Sequence, residues 1–207
     1  MRISEQAKQA TRLRILDKAA ELFCAKGFDD STTREIALAA GVAAGTMFNY
    51  FPSKETMAMT MVTEALRQGL DEFRRRRTNE EDLTEELFLF IASGLRRLQP
   101  LRPFLGPVLE RSLSPFPRKA VCQEGEAARL SHLASVQEII GRHGFTEAPD
   151  YAAMTIYWSL YLGILAFWTN DTSPNQEESQ ALIDYSLRVF VQVISGTGEE
   201  RGAAYAC

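Results

Sequence analysis

Apolar residues recur along this chain at three- and four-residue intervals almost throughout, and no stretch shows strict alternation with β-branched enrichment, so the pattern predicts an all-α fold. A first helix is expected from about Ala7 to Lys26, where Ile15, Leu16, Ala19, Ala20, Leu22 and Phe23 form one stripe and Gly27 supplies the stop. Two short helices follow, then a long one from Ser53 to Arg77 that keeps Met57, Met61, Ala65, Leu66, Leu70 and Phe73 at helical spacing. Further helices are predicted over Glu81 to Leu98, Lys119 to His143, Asp150 to Asn170 and Gln176 to Ile194. Pro100, Pro103, Pro107, Pro115 and Pro117 crowd the stretch between the first two of these, and each ring removes a donor, so helix there should be short and kinked. The tail Gly196 to Cys207 holds a Gly-x-Gly, but it follows a helix and not a strand, the wrong context for a dinucleotide loop.

The two short helices carry the most specific pattern. Thr32 can cap a helix while Glu35, three residues on, reaches back to complete a capping box. That helix should run through Ile36, Ala37 and Ala40 to Gly41, where positive φ lets the chain turn and Val42 can plug the angle. A second short helix is expected over Ala43 to Phe51, with Met47 and Phe51 facing inward with Val42. Two short helices joined by a glycine turn make a helix-turn-helix. Its outward face would carry Ala44, Gly45, Phe48 and Asn49, with Thr46 and Tyr50 beside them, slim enough for close approach to DNA. Arg34, Lys54, Arg12 and Arg14 are placed to neutralise phosphates.

Composition narrows the function. The 207 residues are 45% apolar with a formal net charge of −4, enough for a packed core and without a global basic field. Residues 1–56 hold 8 basic and 7 acidic side chains against 15 and 20 in the remainder, so any nucleic-acid surface is local. Cys24, Cys122 and Cys207 are widely spaced and His132 and His143 stand eleven apart, which suits neither a disulfide framework nor a metal site. Met1 to Thr11 lacks the apolar stretch of an export signal, and a cytoplasmic location is expected. Tyr151 to Trp168 approaches membrane-span length, but its acidic flanks and central aromatics read as a helix buried on more than one side, with no membrane involved. No Ser/His/Asp set, Glu-x-x-His pair or phosphate loop supports an enzyme, and no cofactor is called for.

Three runs together carry a family resemblance: Ile15-Leu16-x-x-Ala19-Ala20-x-Leu22-Phe23-x-x-x-Gly27, Thr32-Thr33-x-x-Ile36-Ala37-x-x-Ala40-Gly41-Val42, and Gly45-Thr46-Met47-Phe48-x-Tyr50-Phe51-x-Ser53-Lys54-Glu55. Over roughly residues 11–57 the chain closely resembles the TetR family of transcriptional regulators. The resemblance implies a homodimer with a helix-turn-helix DNA-binding domain at residues 1–52 and a helical bundle at 53–207 that binds effector and dimerises. It implies phosphate contacts from Thr33, Tyr50 and Lys54, and base or sugar contacts from Arg34, Ala44, Gly45, Thr46, Phe48 and Asn49. Two positions depart from the common pattern: Ala43 stands where Ser or Thr often caps the recognition helix, and Phe48 replaces a frequent Tyr.

In the larger part, the last two helices are apolar on more sides than a monomer covers. Ser159, Gly163 and Ala166 would admit a neighbour, and Ile183, Leu187, Phe190 and Ile194 would form a second seam. Pairing them with their copies gives a four-helix homodimer interface and a palindromic double-stranded DNA operator; the alternative is that both helices are central in a monomeric core. Phe88, Phe104, Tyr157, Trp158, Tyr161 and Trp168, with Phe90 and Phe116, offer aromatic surface for an apolar or aromatic small-molecule effector, or simply core. The leading expectation is a repressor released from DNA by that effector. The second is a DNA-binding protein whose C-terminal domain docks a protein partner.

Overall fold

In the computed structural model, residues 4–113, 122–145 and 151–204 are described, with side chains as far as residue 196. Every regular element among them is helical: α1 (Glu5–Lys26), α2 (Thr33–Ala39), α3 (Ala44–Phe48), α4 (Lys54–Arg76), α5 (Leu83–Leu98), a 3-10 turn (Gln99–Leu101), α6 (Arg102–Ser112), α7 (Gln123–Arg142), α8 (Tyr151–Asn170), a second 3-10 turn (Pro174–Gln176) and α9 (Glu177–Ala204). The chain divides into two compact units, one of residues 1–66 and 98–129, the other of residues 67–97 and 130–207. Helices α4 and α7 contribute to both.

In the first unit, α1 starts two residues earlier than the apolar stripe suggests, because Ser4 Oγ accepts the Ala7 N–H at 3.2 Å and caps it. It ends at Gly27, whose φ of 91° releases the chain. Ile15, Ala19 and Phe23 are fully buried, and the Phe23 ring lies 5.1 Å from Phe28 and 5.2 Å from Phe104. The proline-rich stretch departs from expectation: α6 runs continuously for 11 residues. Pro103 sits in its first turn, where the missing N–H would be unpaired in any case. Pro107 forfeits an interior bond, offset by burial of Phe104, Leu105 and Val108. Pro115, Phe116 and Pro117 lie outside the described residues, as does the expected start of α7 at Lys119.

In the second unit, α5 begins at Leu83 behind a second capping box: Asp82 Oδ1 accepts the Glu85 N–H at 2.8 Å, and Glu85 Oε2 accepts the Asp82 N–H at 3.0 Å. The residues Asp82-x-x-Glu85 announce it in the sequence, although the periodicity pointed to Glu81. Two buried carboxylates tie helices together. Glu72 meets Arg96 at 2.8 Å and Arg97 at 2.7 Å, while Glu86 meets Arg142 and His143, each at 2.6 Å. Helices α8 and α9 pack closely on one another. Among the described residues, helix α8 is long and apolar enough to cross a membrane by length and composition, yet Ala153, Met154, Tyr157, Trp158, Tyr161, Ile164, Leu165 and Trp168 are all buried within the chain.

Two expectations for α9 need correction. It continues through Gly196 and Gly198 to Ala204 instead of stopping at Ile194, since isolated glycines weaken a helix without ending it. The seam of Ile183, Leu187, Phe190 and Ile194 is buried in the chain's own core, none more than 2% exposed. The outward apolar row is rotated by about one position, to Tyr185, Val189 and Val193. On α8 the small residues Ser159, Gly163 and Ala166 are exposed as expected, between Ile156 and Phe167.

Helices α4 and α5 cross backbone to backbone at Gly69 and Gly94. A Cβ on Gly69 would stand 2.8 Å from Gly94 Cα and 3.1 Å from Ser93 O, atoms that cannot swing aside. Gly69→Ala is therefore expected to lower unfolding stability by roughly 1–3 kcal/mol in urea titrations. Gly106→Ala on α6, where nothing lies within 4 Å, should be neutral or stabilising.

Candidate nucleic-acid interface

The helix-turn-helix is built by short-range hydrogen bonds and two anchor side chains. Thr32 Oγ1 accepts the Glu35 N–H at 3.3 Å, and Glu35 Oε2 accepts the Thr32 N–H at 2.9 Å, the reciprocal capping box read from the sequence. Lys26 Nζ lies 2.5 Å from Glu35 Oε1, and this bond, with those from Thr32, holds the Glu35 carboxyl down at about 2. At the far end of α2, Gly41 turns with φ 64° and the Val42 N–H donates to Ala37 O at 3.0 Å, while the half-buried Val42 side chain fills the corner.

Helix α3 is shorter than expected, five residues followed by a turn in which the Tyr50 and Phe51 N–H groups both donate to Met47 O. Ala43 provides no side-chain cap. Met47 is 0% and Phe51 1% exposed, and these two fix which way α3 faces. Ala44, Gly45, Thr46, Phe48 and Asn49 are exposed, with Thr33 and Tyr50 half-buried. Phe48 leaves 49% of its surface uncovered by the chain.

The cations named from the sequence divide. Arg34 is exposed at the start of α2. Arg14 Nε donates to Ala40 O at 2.9 Å, closing the C-terminal end of α2, and the Arg12 guanidinium lies 4.9 Å from the Phe51 ring centre. Lys54 turns inward: its ammonium donates to the carbonyls of Phe28 at 2.7 Å, Asp29 at 3.0 Å and Ser31 at 3.1 Å, and sits 4.6 Å from the Phe28 ring centre. Three acceptors use all three donors of a lysine, so in this arrangement Lys54 clamps the turn between α1 and α2. Nothing in the sequence distinguishes a phosphate-binding lysine from one that closes a loop.

The aromatic residues named from the sequence fall in both units. Phe104 belongs to the first unit, against Phe23. In the second unit Tyr157, Trp158 and Tyr161 surround His132, whose ring centre stands 4.0 Å from Tyr161 and 4.9 Å from Phe90 and whose Nε2 is 3.0 Å from Tyr157 Oη. Burial holds the His132 imidazole down at about 3, hence neutral, and pushes both tyrosine phenols up. Trp168 donates its indole N–H to Gln176 at 2.8 Å. Phe88 lines an open cleft of about 520 Å³ with Asp82, Thr84, Glu85, Gln180, Asp184 and Arg188.

Residues 15–59 match the model for bacterial regulatory proteins of the tetR family, and residues 86–201 match the tetracyclin repressor-like C-terminal domain. The chain belongs to the TetR family. A Rhodococcus jostii protein named HTH-type transcriptional repressor KstR2 is 43% identical over 166 residues, 80% of this chain and 69% of that protein. The fatty acid metabolism regulator protein of Bacillus subtilis is 32% identical over 79 residues, 38% of each chain. Among solved structures, a TetR regulator from Nitrosomonas europaea matches with a TM-score of 0.67 at 17% identity, covering 87% of this chain and 98% of that one. Thermus thermophilus FadR, solved in complex with lauroyl-CoA, matches with a TM-score of 0.65 at 24% identity, covering 87% and 93%. Both share the fold. As a TetR family member the chain is a DNA-binding transcriptional regulator and not an enzyme; regulators of this family bind operator DNA, dimerise and take small-molecule ligands.

The buried neutral His132 has a pH consequence. The unfolded chain takes up a proton at this residue near pH 6.5 and the folded chain only near 3, so the unfolded state binds more protons between those values and stability falls as pH drops through them. From pH 8 to pH 5 the loss from this residue is on the order of 2 kcal/mol. Urea midpoints at the two pH values should separate clearly for the natural chain and by less for His132→Gln.

Proposed function

We propose that this chain is a repressor that grips a two-fold symmetric operator as a homodimer and lets go when a small, largely apolar effector binds. The carrying observation is the face of α3: Ala44, Gly45, Thr46, Phe48 and Asn49 are turned outward by the burial of Met47 and Phe51, with no part of the chain's described residues covering them. A slim, uncharged wedge of this kind fits the major groove, where side chains and thymine methyls meet. In this reading residues 1–52 are the DNA-binding part and 53–207 the effector-binding and dimerising part. Arg34, Ala44, Gly45, Thr46, Phe48 and Asn49 touch bases or sugars, and Thr33 and Tyr50 touch phosphates. Lys54 acts at one remove, by holding the turn between α1 and α2.

The dimer would form through α8 and α9, whose outward rows Ile156, Ser159, Gly163 and Phe167, and Tyr185, Val189 and Val193, leave apolar surface for a copy. Two wedges related by a two-fold axis then meet successive major grooves about one DNA turn apart, roughly 34 Å. For the effector, the Bacillus subtilis protein named for fatty acid metabolism and the lauroyl-CoA complex of the Thermus protein support an apolar, acyl-bearing molecule. Phe88, Tyr157, Trp158, Tyr161 and Trp168 are the wall residues proposed in the second unit. Phe104, packed on Phe23, belongs to the route by which α6 reaches α1. Helix α4, which contributes to both units, is the element through which effector binding can alter the reading helices.

Sedimentation should give twice the chain mass, and anisotropy titrations with operator duplex should show affinity falling steeply with salt. Asn49→Ala should cost roughly tenfold or more in specific affinity with the circular dichroism unchanged. A flat salt response, or unaltered binding in Asn49→Ala combined with Phe48→Ala, would overturn this reading.

A further inference from the structure

The face of α3 is unusual in what it lacks. No charged residue stands between Glu35 and Lys54, and Lys54 is spent on three backbone carbonyls. Glu35 is likewise engaged, by Thr32 and Lys26. The base edges that face α3 would therefore meet only Ala44, Gly45, Thr46, Phe48 and Asn49, the exposed side chains of the wedge.

Each base pair presents its own major-groove pattern. Guanine offers two acceptors, O6 and N7, matched in bidentate fashion by Arg or Lys, and cytosine offers a donor that Asp or Glu accepts. Neither partner exists on this face. Adenine offers an acceptor at N7 and a donor at N6, the complement of a carboxamide, and thymine offers a methyl group that apolar side chains cover. Asn49 has the carboxamide, exposed and hydrogen-bonded to no side chain or backbone group among the described residues. Phe48, with 49% of its surface bare, and Ala44 have the apolar contact, and Thr46 adds a methyl of its own.

We infer that α3 selects A·T pairs at the base pairs it reads directly, with Asn49 on an adenine and Phe48 on a thymine methyl, and that Arg34 is the residue that reads any guanine in the half-site. Arg34 is suited to this by position: it is exposed at the second residue of α2, outside the uncharged stretch. The operator is then a symmetric pair of A·T-rich cores, with G·C preference confined to where Arg34 reaches. This assignment of sequence rests on the DNA-binding reading above.

Selection of bound duplexes from a random library by the full-length chain tests it. The enriched half-site should hold an adenine whose preference drops at least about fivefold in Asn49→Ala and moves to guanine in Asn49→Arg. Replacing thymine by deoxyuridine, which removes only the methyl, should weaken binding severalfold at one or two half-site positions in the natural chain and at none of those in Phe48→Ala. Any selected guanine should lose its preference in Arg34→Ala. A core of G·C pairs that survives Arg34→Ala, or a site indifferent to deoxyuridine at every thymine, overturns the inference. Binding without sequence enrichment overturns it while leaving DNA binding intact, and failure to bind any duplex overturns both. Because Phe48 and Asn49 are exposed and lie outside the buried core, circular dichroism of the variants separates lost reading from lost folding.

Discussion

Helix α3 is too short to hold itself together. Five residues make barely more than one turn, nucleating a helix in isolation is unfavourable, and Ala43 supplies no cap. What keeps α3 formed is the burial of Met47 and, four positions on, Phe51, each contributing roughly 1.5–3 kcal/mol by removal from water. The same burial sets the rotation of α3 about its axis, and so decides that Phe48 and Asn49 point away from the protein. The rest of the helix-turn-helix serves this arrangement. The Thr32 and Glu35 box fixes where α2 begins, and Gly41 at φ 64° fixes the angle at which the chain leaves it.

Positive charge is committed first to closing the backbone. The end of α2 leaves carbonyls without helical partners, as does the turn from Phe28 to Ser31, and a buried carbonyl without a donor is costly. Arg14 and Lys54 satisfy them. The exposed face of α3 is thereby left uncharged at its centre, with Arg34 exposed at its margin. Net charge of the whole chain, −4, says little about such a surface because the relevant charges are few and local.

The second unit handles polar groups differently. Its carboxylates Glu72 and Glu86 are buried yet surrounded by arginines, and its one core histidine is neutral and bonded to Tyr157. Paired in this way, they join α4 to α5 and α5 to α7 without leaving an isolated charge in the interior. Among the aromatic rings, those near His132 lie with centres 4.0–6.0 Å away, a packed cluster in which His132 Nε2 and the Tyr157 hydroxyl share a hydrogen bond.

Local signals in the chain determined the helical class, the start of α2, the turn at Gly41 and the inward pair Met47 and Phe51, since capping boxes, glycine turns and four-residue spacing act over a few residues. The outward set from Ala44 to Asn49 followed from the same spacing. Tertiary structure alone decided the remainder. Lys54 faces inward because carbonyls 23–26 residues earlier need its donors, which no local pattern reveals. Pro107 is carried inside α6 because burial of Phe104, Leu105 and Val108 outweighs one missing bond. On α9, which of two adjacent apolar rows is core was undecided by periodicity; packing on α8 put Ile183, Leu187, Phe190 and Ile194 inside and left Tyr185, Val189 and Val193 outside. A helix rich in apolar residues on several sides has more than one face to bury, and only its neighbours choose between them.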